Sequence, residues 1–430
     1  MRRTLVTLGL IVLALGLMSA PASAQTDEPP RFEGALEDAS GPVADVRIVV
    51  TEVIDEADAT GDEPFAGETV SDADGLWVIE VPDRRGTYLV EIDIATLPAG
   101  VALDEEDTAR ESSISRPGQV RVINFALGGQ DTGGTSTFDQ VAQATVNGVK
   151  LGLIIAMCSI GLSLIYGTTG LINFAHGELV TFGAALAWWL NTQSLESGLI
   201  LSAALAVLGG TLLGAGVEKG IMAPLRRRKL GSFQFVVVTI GMSLVGRQLF
   251  QLWIGEGNLT YRQYQIQTPW DVGPISITPR DLTIIVVSAI VLVGVATVLQ
   301  LTRLGKGMRA VSDNADLAAS SGIAVNRVIL WVWMSGAGLA ALGGVFFGLS
   351  EVVKFDMGFR LLLLMFAAVV LGGLGTAYGA MVGGLVIGLV TEISTVWVEP
   401  ELKFLWALLV LILVLLIRPQ GILGSKERVG

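Results

Sequence analysis

From residue 141 onward the chain is a succession of apolar runs, near 146–167, 170–191, 198–217, 233–254, 281–301, 328–349, 361–376, 377–396 and 402–417. Several approach the roughly 20 residues that a helix needs to cross a bilayer, and the seventh falls short. The composition agrees. Hydrophobic residues make up 51% of the chain and 53 of its 430 residues are glycine, too apolar and glycine-rich for an ordinary soluble enzyme but tolerated in membrane helices. The expectation is a polytopic all-α membrane protein with about eight or nine transmembrane segments, preceded by a small domain of a different kind.

That domain announces itself by charge. Residues 25–140 carry 26 acidic and 7 basic groups, whereas the rest of the chain carries 14 acidic and 21 basic. An acidic, solvated ectodomain and a basic excess in short loops between spans account for the split, and it argues against nucleic acid as a partner. At the N-terminus Arg2 and Arg3 precede an apolar stretch and then Ala22-Ser23-Ala24, the pattern of a secretory signal, 1–24, cleaved after Ala24; an uncleaved anchor helix is the alternative. From 31 to 127 the period is two. Val46, Ile48 and Val50 alternate with their neighbours, with similar runs at Leu76–Val81, Thr87–Ile92 and Val120–Phe125, which predicts a small antiparallel β-sandwich. Ser71-Asp72-Ala73-Asp74-Gly75 and Asp83-Arg84-Arg85-Gly86 mark its turns. Asp72 and Asp74 lack the further acidic positions of a calcium loop, so a plain turn is expected there. Residues 128–140, rich in Gly, Ser and Thr, form a linker to the 141–425 membrane domain.

Loop charge gives an orientation. Lys219, Arg226, Arg227, Arg228 and Lys229 follow the third run, Arg303, Lys306 and Arg309 the fifth, and Arg418, Lys426 and Arg428 the last. Cytoplasmic loops collect Lys and Arg, so odd-numbered runs end in the cytoplasm, as a secreted N-terminus also requires. Two runs are broken by glycine, the second around Gly167-Thr168-Thr169-Gly170 and the seventh at Gly372-Gly373-Leu374-Gly375. Broken elements, one in each half, point to a substrate pathway near the midplane. The second contains Asn173, His176 and Glu178, with His176 the only histidine of the chain. Ionisable residues inside a span usually face a bundle interior or a substrate path. No nucleophile or metal-ligand constellation accompanies them, so catalysis is not expected; interhelical hydrogen bonding or gating is the reading, with direct substrate contact and a proton relay as the alternatives. Arg247, in the fourth run, snorkels outward or pairs with a substrate carboxylate or an intramembrane acid such as Glu392. The pairs Gly379/Gly383 and Gly384/Gly388 permit close helix contact. Cys158 is the only cysteine and offers no disulfide.

Three stretches carry a family likeness: Gly161-Leu162-Ser163-Leu164-Ile165-Tyr166-Gly167 continuing through Asn173-Phe174-Ala175-His176-Gly177-Glu178; Val369-Val370-Leu371-Gly372-Gly373-Leu374-Gly375-Thr376; and Arg418-Pro419-Gln420-Gly421-Ile422-Leu423-Gly424. Over about 141–425 the chain resembles the permease subunits of branched-chain amino acid ABC transporters. The 31–127 segment, with Asp72-Ala73-Asp74-Gly75-Leu76-Trp77 and Thr87-Tyr88-Leu89-Val90, resembles transthyretin-like or carboxypeptidase-regulatory sandwiches, common as extracytoplasmic spacers.

The permease resemblance implies a second permease subunit, two cytoplasmic ATPases that hold ATP and Mg, and an extracytoplasmic substrate-binding protein. No G-x-x-x-x-G-K-[ST] loop occurs in the chain, so it holds no cofactor of its own by that route. It implies pathway or gating roles for Asn173, His176, Glu178, Gly372, Gly373 and Gly375. It also implies a coupling loop within 302–326, where Ala318, Ala319, Gly322 and Ile323 would meet an ATPase groove. Branched-chain amino acids are the default cargo and urea or short amides the rival. An ion-coupled secondary transporter and an ectodomain receptor are the readings from other classes.

Overall fold

A computed structural model describes residues 29–38, 41–53, 64–82, 84, 86–98, 108–114, 120–123, 125–126, 136–194, 198–228, 230–264, 267, 269–398, 402–417 and 420–423. The signal segment 1–24, residues 128–135 of the linker, and Lys229, Glu399, Glu401, Arg418, Lys426 and Arg428 lie outside the described residues. The chain divides into two compact units that part at Ser136.

The N-terminal unit is built of β1 (Arg31–Asp38), β2 (Gly41–Pro42), β3 (Arg47–Val53), β4 (Ala66–Val70), β5 (Leu76–Glu80), β6 (Gly86–Ile92), β7 (Ala109–Ile114), β8 (Val120–Val122) and β9 (Phe125–Ala126). One sheet is ordered β2-β1-β5 with β8 and β9 also on β1, and the other β4-β3-β6-β7. Alternate residues of β3 and β6 (Ile48, Val50, Tyr88, Val90) meet Phe32 and Leu36 of β1 and Trp77 and Ile79 of β5 in one core, as a side-chain period of two dictates. The expectation of a purely antiparallel domain is corrected, because β8 and β9 run parallel to β1. In the Asp72 turn, Asp72 Oδ1 accepts from the amides of Asp74 (3.0 Å) and Leu76 (2.8 Å), and Gly75 takes φ +73. The carboxylate is thus committed to the backbone, as an Asx turn requires.

The second unit holds α1 (Thr137–Thr169), α2 (His176–Trp189), α3 (Leu199–Val217), α4 (Ser232–Ile254), α5 (Pro279–Leu301), α6 (Arg303–Asp313), α7 (Ala315–Ser320), α8 (Val325–Ser350), α9 (Met357–Gly372), α10 (Ala377–Ile393) and α11 (Lys403–Ile417). Among the described residues six helices are long and apolar enough to cross a membrane: α1, α3 extended to Arg227, α4, α5, α8, and α10 extended to Val396. Shorter apolar helices lie at Met357–Gly372 and Leu408–Ile417.

Helix α1 begins earlier than its apolar run, so residues 137–140 are helix rather than linker. Ser136 accepts from the Phe138 amide at 3.0 Å and Asp139 from the Ser136 amide at 3.3 Å, a capping box that hydropathy does not register. Glycine lets α1 sit close to its neighbours. A Cβ on Gly161 would lie 2.6 Å from the Gly336 carbonyl of α8, and Gly384 and Gly388 of α10 abut Ala156 and Gly152 of α1. Gly379 and Gly383 face Gly372 and Ala368 of α9. These small residues therefore serve contacts within the chain, as close helix approach demands.

The bundle has two ends. At one, Gln143 of α1 exchanges hydrogen bonds with Ser276 (3.0 and 2.8 Å) in the hairpin of β10 (Trp270–Val272) and β11 (Ile275–Ile277). The end of α2 reaches the same side, where Asn191 accepts from the Arg262 amide at 2.9 Å, and Leu259 bridges to Val353. At the other end lie the close of α1, helix α6 and the α9–α10 turn, since a Cβ on Gly167 would meet Gly375 O at 2.9 Å and Ser312 Oγ at 3.1 Å.

Candidate functional site

Helix α1 stops at Gly170, whose φ of +65 turns the chain back. Residues 170–175 are not helical, and α2 starts only at His176. The His176 ring lies against the middle of α1: its Nε2 is 3.0 Å from the Cys158 carbonyl. A carbonyl only accepts, so this bond assigns the ring proton to Nε2. Cys158 lies 11 residues before the end of α1, about 16 Å back along the axis at 1.5 Å per residue. The segment 170–175 therefore climbs back into the bundle before α2 begins. Every residue of α2 from His176 to Trp188 is buried, the signature of a helix enclosed on all sides.

Asn173 prepares that helix start. Its side-chain oxygen accepts from the Ala175 amide at 3.1 Å and its carbonyl from the His176 amide at 3.3 Å. Two amides in a bare stretch of buried backbone thus find partners, which is the requirement for non-helical chain at membrane depth. Phe174 packs on Phe366 of α9 with ring centroids 5.0 Å apart.

Glu178, in the first turn of α2 and buried, accepts from Ser243 Oγ of α4 at 2.9 Å through Oε1. Its Oε2 and the Nδ1 of His176 are buried and have no hydrogen-bond partner among the described residues. Gly246 of α4 lets that helix close over the carboxylate: a Cβ there would stand 3.2 Å from Glu178 Cγ. Arg247 follows, half-buried, with its guanidinium carbon 5.2 Å from the centre of the Phe359 ring, a cation–π position.

Helix α9 meets α2 at the first turn of each. A Cβ on Gly177 would lie 2.5 Å from the Gly358 carbonyl and one on Gly358 only 1.9 Å from the Gly177 carbonyl, while the Gly358 amide donates to Thr181 Oγ1 at 3.1 Å. Two helix N-termini, with their positive dipole ends, thus converge beside Asn173, His176 and Glu178. Ser243, Gly246, Thr181 and Gly358 complete the cluster. Isolated Ser, Thr and Gly in apolar runs are ordinary; the available signal was spacing, with Ser243 and Gly246 three residues apart on α4 and Thr181 three residues after Glu178 on α2.

The two glycine breaks meet at the end of the bundle, Gly375 beside Gly167, and not at the start of α2 where Asn173, His176 and Glu178 lie. Gly372, Gly373 and Gly375 lie at the end of the bundle beside Gly167, in the tight turn from α9 to α10. Gly373 and Gly375 take φ +111 and +79. A close reversal of two helices needs such glycines, so the sequence break there marks a turn rather than a second half-helix. Ser163 Oγ donates to the Thr376 carbonyl at 3.1 Å. The amides of Ile422 and Leu423 donate to the carbonyls of Leu371 (2.8 Å) and Gly372 (2.9 Å), so the closing Gln420-Gly421-Ile422-Leu423 segment seals the end of α9.

The 302–326 stretch folds as two short helices. Thr302 caps α6, which buries Gly305, Met308 and Val311 and exposes Arg303, Lys306 and Arg309. Asn314 caps α7 by accepting from the Leu317 amide at 2.9 Å. Of the four residues expected here, Ala318 is buried, Ile323 half-buried, and Ala319 and Gly322 exposed; Leu317, 65% exposed, was not anticipated. Gly322 takes φ +85, and no atom lies within 4 Å of where a Cβ would stand, so backbone conformation alone asks for glycine.

A bundle of apolar helices, entered from within by one buried half-helix and carrying its polar groups where that helix begins, defines a multi-pass membrane protein of transport type. Residues 144–416 match the family described as branched-chain amino acid transport system / permease component, and the chain belongs to that family. It is similar to the high-affinity branched-chain amino acid transport system permease protein LivH of Escherichia coli, 32% identical over 298 residues that cover 66% of this chain and 96% of that protein. With BraD of Pseudomonas aeruginosa, of the same description, it is 29% identical over 305 residues, again 66% and 96% of the two chains. The autoinducer 2 import system permease protein LsrC of an Enterobacter species is 27% identical over 267 residues, 60% of this chain and 70% of that one.

Proposed function

We propose that this chain is the membrane-spanning subunit of an ABC importer for branched-chain or other hydrophobic amino acids, driven by ATPases on separate chains and fed by an extracytoplasmic binding protein. The family match across the whole bundle carries this reading. The end bearing Arg226, Arg227, Arg303, Lys306 and Arg309 is cytoplasmic by the positive-inside rule. The β-sandwich lies outside as a spacer near the binding protein.

In this reading ATP binding moves α6 and α7 through Leu317, Ala319 and Gly322. The motion reaches the bundle where Ser312 of α6 abuts Gly167 and the Gly375 turn. Asn173, His176 and Glu178 hold the start of α2, and relative movement of α2 and α9 at Gly177 and Gly358 opens and closes the path. Their role is gating rather than direct recognition of cargo. The similarity to a permease named for autoinducer 2 fits a scaffold that leaves cargo choice to the binding protein.

The test is uptake of labelled leucine by cells lacking and then regaining the chain, with unlabelled isoleucine, valine or urea as competitor. Loss and return of uptake, competed by isoleucine and valine, is expected. Unchanged leucine uptake would remove branched-chain amino acids as the cargo and bring urea and short amides forward.

A further inference from the structure

A groove of about 680 Å³ opens between α6 and the start of α8. Arg303 and Lys306 stand on its α6 wall, Arg327, Val328 and Trp331 on its α8 wall, and no carboxylate lines it. Each wall is one helical face at spacings of three and four residues. Among the described residues, the side chains of Arg303, Lys306 and Arg327 make no ion pair or hydrogen bond. Three unneutralised cations thus converge on one cleft.

We propose that this groove holds the headgroup of an anionic phospholipid, with the phosphate among Arg303, Lys306 and Arg327 and the upper acyl chain along Val328 and Trp331. The depth fits. Trp331 is six residues into α8, about 9 Å from its start at 1.5 Å per residue, and is 47% exposed on a helix that crosses the membrane. A tryptophan at that level is at home in the headgroup region, and clustered basic residues at the end of a span attract anionic lipid. The charge is complementary and the apolar wall continues along a spanning helix, which a lipid fills and a free anion does not. Of the coupling segment only Ile323 lines the groove; Leu317, Ala319 and Gly322, which the coupling proposal uses, do not. The inference rests on the orientation above only for the choice of leaflet.

The experiment places the full chain in nanodiscs of equal phosphatidylglycerol and phosphatidylcholine and counts the lipids retained by native mass spectrometry. Wild type is expected to retain phosphatidylglycerol over phosphatidylcholine by on the order of tenfold. R303Q/K306Q/R327Q loses that preference. Gly307 supplies a second variant that keeps every cation: its Cβ would stand 3.5 Å from Val328 Cγ2, so G307A fits and G307L enters the groove and lowers retention. Equal retention of the two lipids by wild type, or unchanged preference in both the triple variant and G307L, overturns the proposal. So does binding of inorganic phosphate without lipid preference, which would mark a free-anion site. Loss of co-purifying ATPase from the triple variant with lipid preference intact would mark a protein-docking surface and overturn it equally. Lipid retention is read without cargo or ATP, so failure of the leucine test leaves this result standing, and the reverse holds as well.

Discussion

At Gly358 a single hydrogen separates two helices. An added methyl would meet the Gly177 carbonyl and, at 2.6 Å, Thr181 Oγ1, so the α2 backbone would have to shift to admit it. Gly358→Ala is expected to cost about 1–3 kcal/mol by overpacking and to abolish uptake. Gly294→Ala, on the open face of α5 with nothing within 4 Å, should change neither the thermal midpoint of the purified protein nor uptake. Equal tolerance of both would show that the α2–α9 contact is not fixed. Glu178 yields a second comparison. Glu178→Gln keeps an acceptor for Ser243 and is expected to retain most leucine uptake, whereas Glu178→Leu loses the bond and the uptake with it. If Gln fails as fully as Leu, the negative charge itself is required and gating by hydrogen bonding is the wrong account. Asn173, His176 and Glu178 were legible from sequence because polar groups in a span are conspicuous. Gly358 was not, since a glycine after Met357 reads as the edge of a run until the fold sets it on Gly177.

Among elements, the α7–α8 connection isolates backbone from packing. Gly322 has φ +85 and open space around it, so Gly322→Val meets no clash yet is strained by about 1–2 kcal/mol in the left-handed region, while Gly322→Asn is tolerated. Uptake measured beside membrane insertion should fall with Val, persist with Asn, and leave insertion equal in both. In the sandwich, Glu52 of β3 accepts from the Phe65 amide at 3.0 Å and from Arg84 at 2.5 Å. Burial raises its carboxyl, but the Arg84 and Phe65 hydrogen bonds and the Arg84 charge outweigh burial and hold it below the ordinary carboxylate value. A lowered folded value contributes stability that is present above the unfolded value near about 4.3 and is lost as pH falls through the folded one. Amide protection in β3 and β6, taken relative to the intrinsic exchange rate at each pH, should therefore fall on acidification below about pH 4. Glu52→Gln should flatten that dependence, and an unaltered profile would contradict it. Hydropathy located the helices well and their ends poorly. The capping box at Ser136 carries α1 past its apolar run, and the 170–175 climb, apolar itself, reads as helix until Asn173 is seen feeding backbone amides.

For the whole molecule, sequence and fold agree on a membrane bundle with a separate β unit. They part over how the broken elements are used: one break admits a half-helix to the middle of the bundle, and the other is a turn at its end. The difference is tertiary. Gly373 and Gly170 look alike in sequence and both take positive φ, and only their neighbours distinguish a reversal from a re-entry. The central claim is that ATP hydrolysed on partner chains drives amino acid through this bundle. Leucine accumulation by proteoliposomes holding the assembled complex, with loaded binding protein on one side of the membrane and ATP on the other, tests it most directly. The account predicts accumulation that requires ATP and survives an ionophore; accumulation that proceeds without ATP and collapses with the ionophore would contradict it.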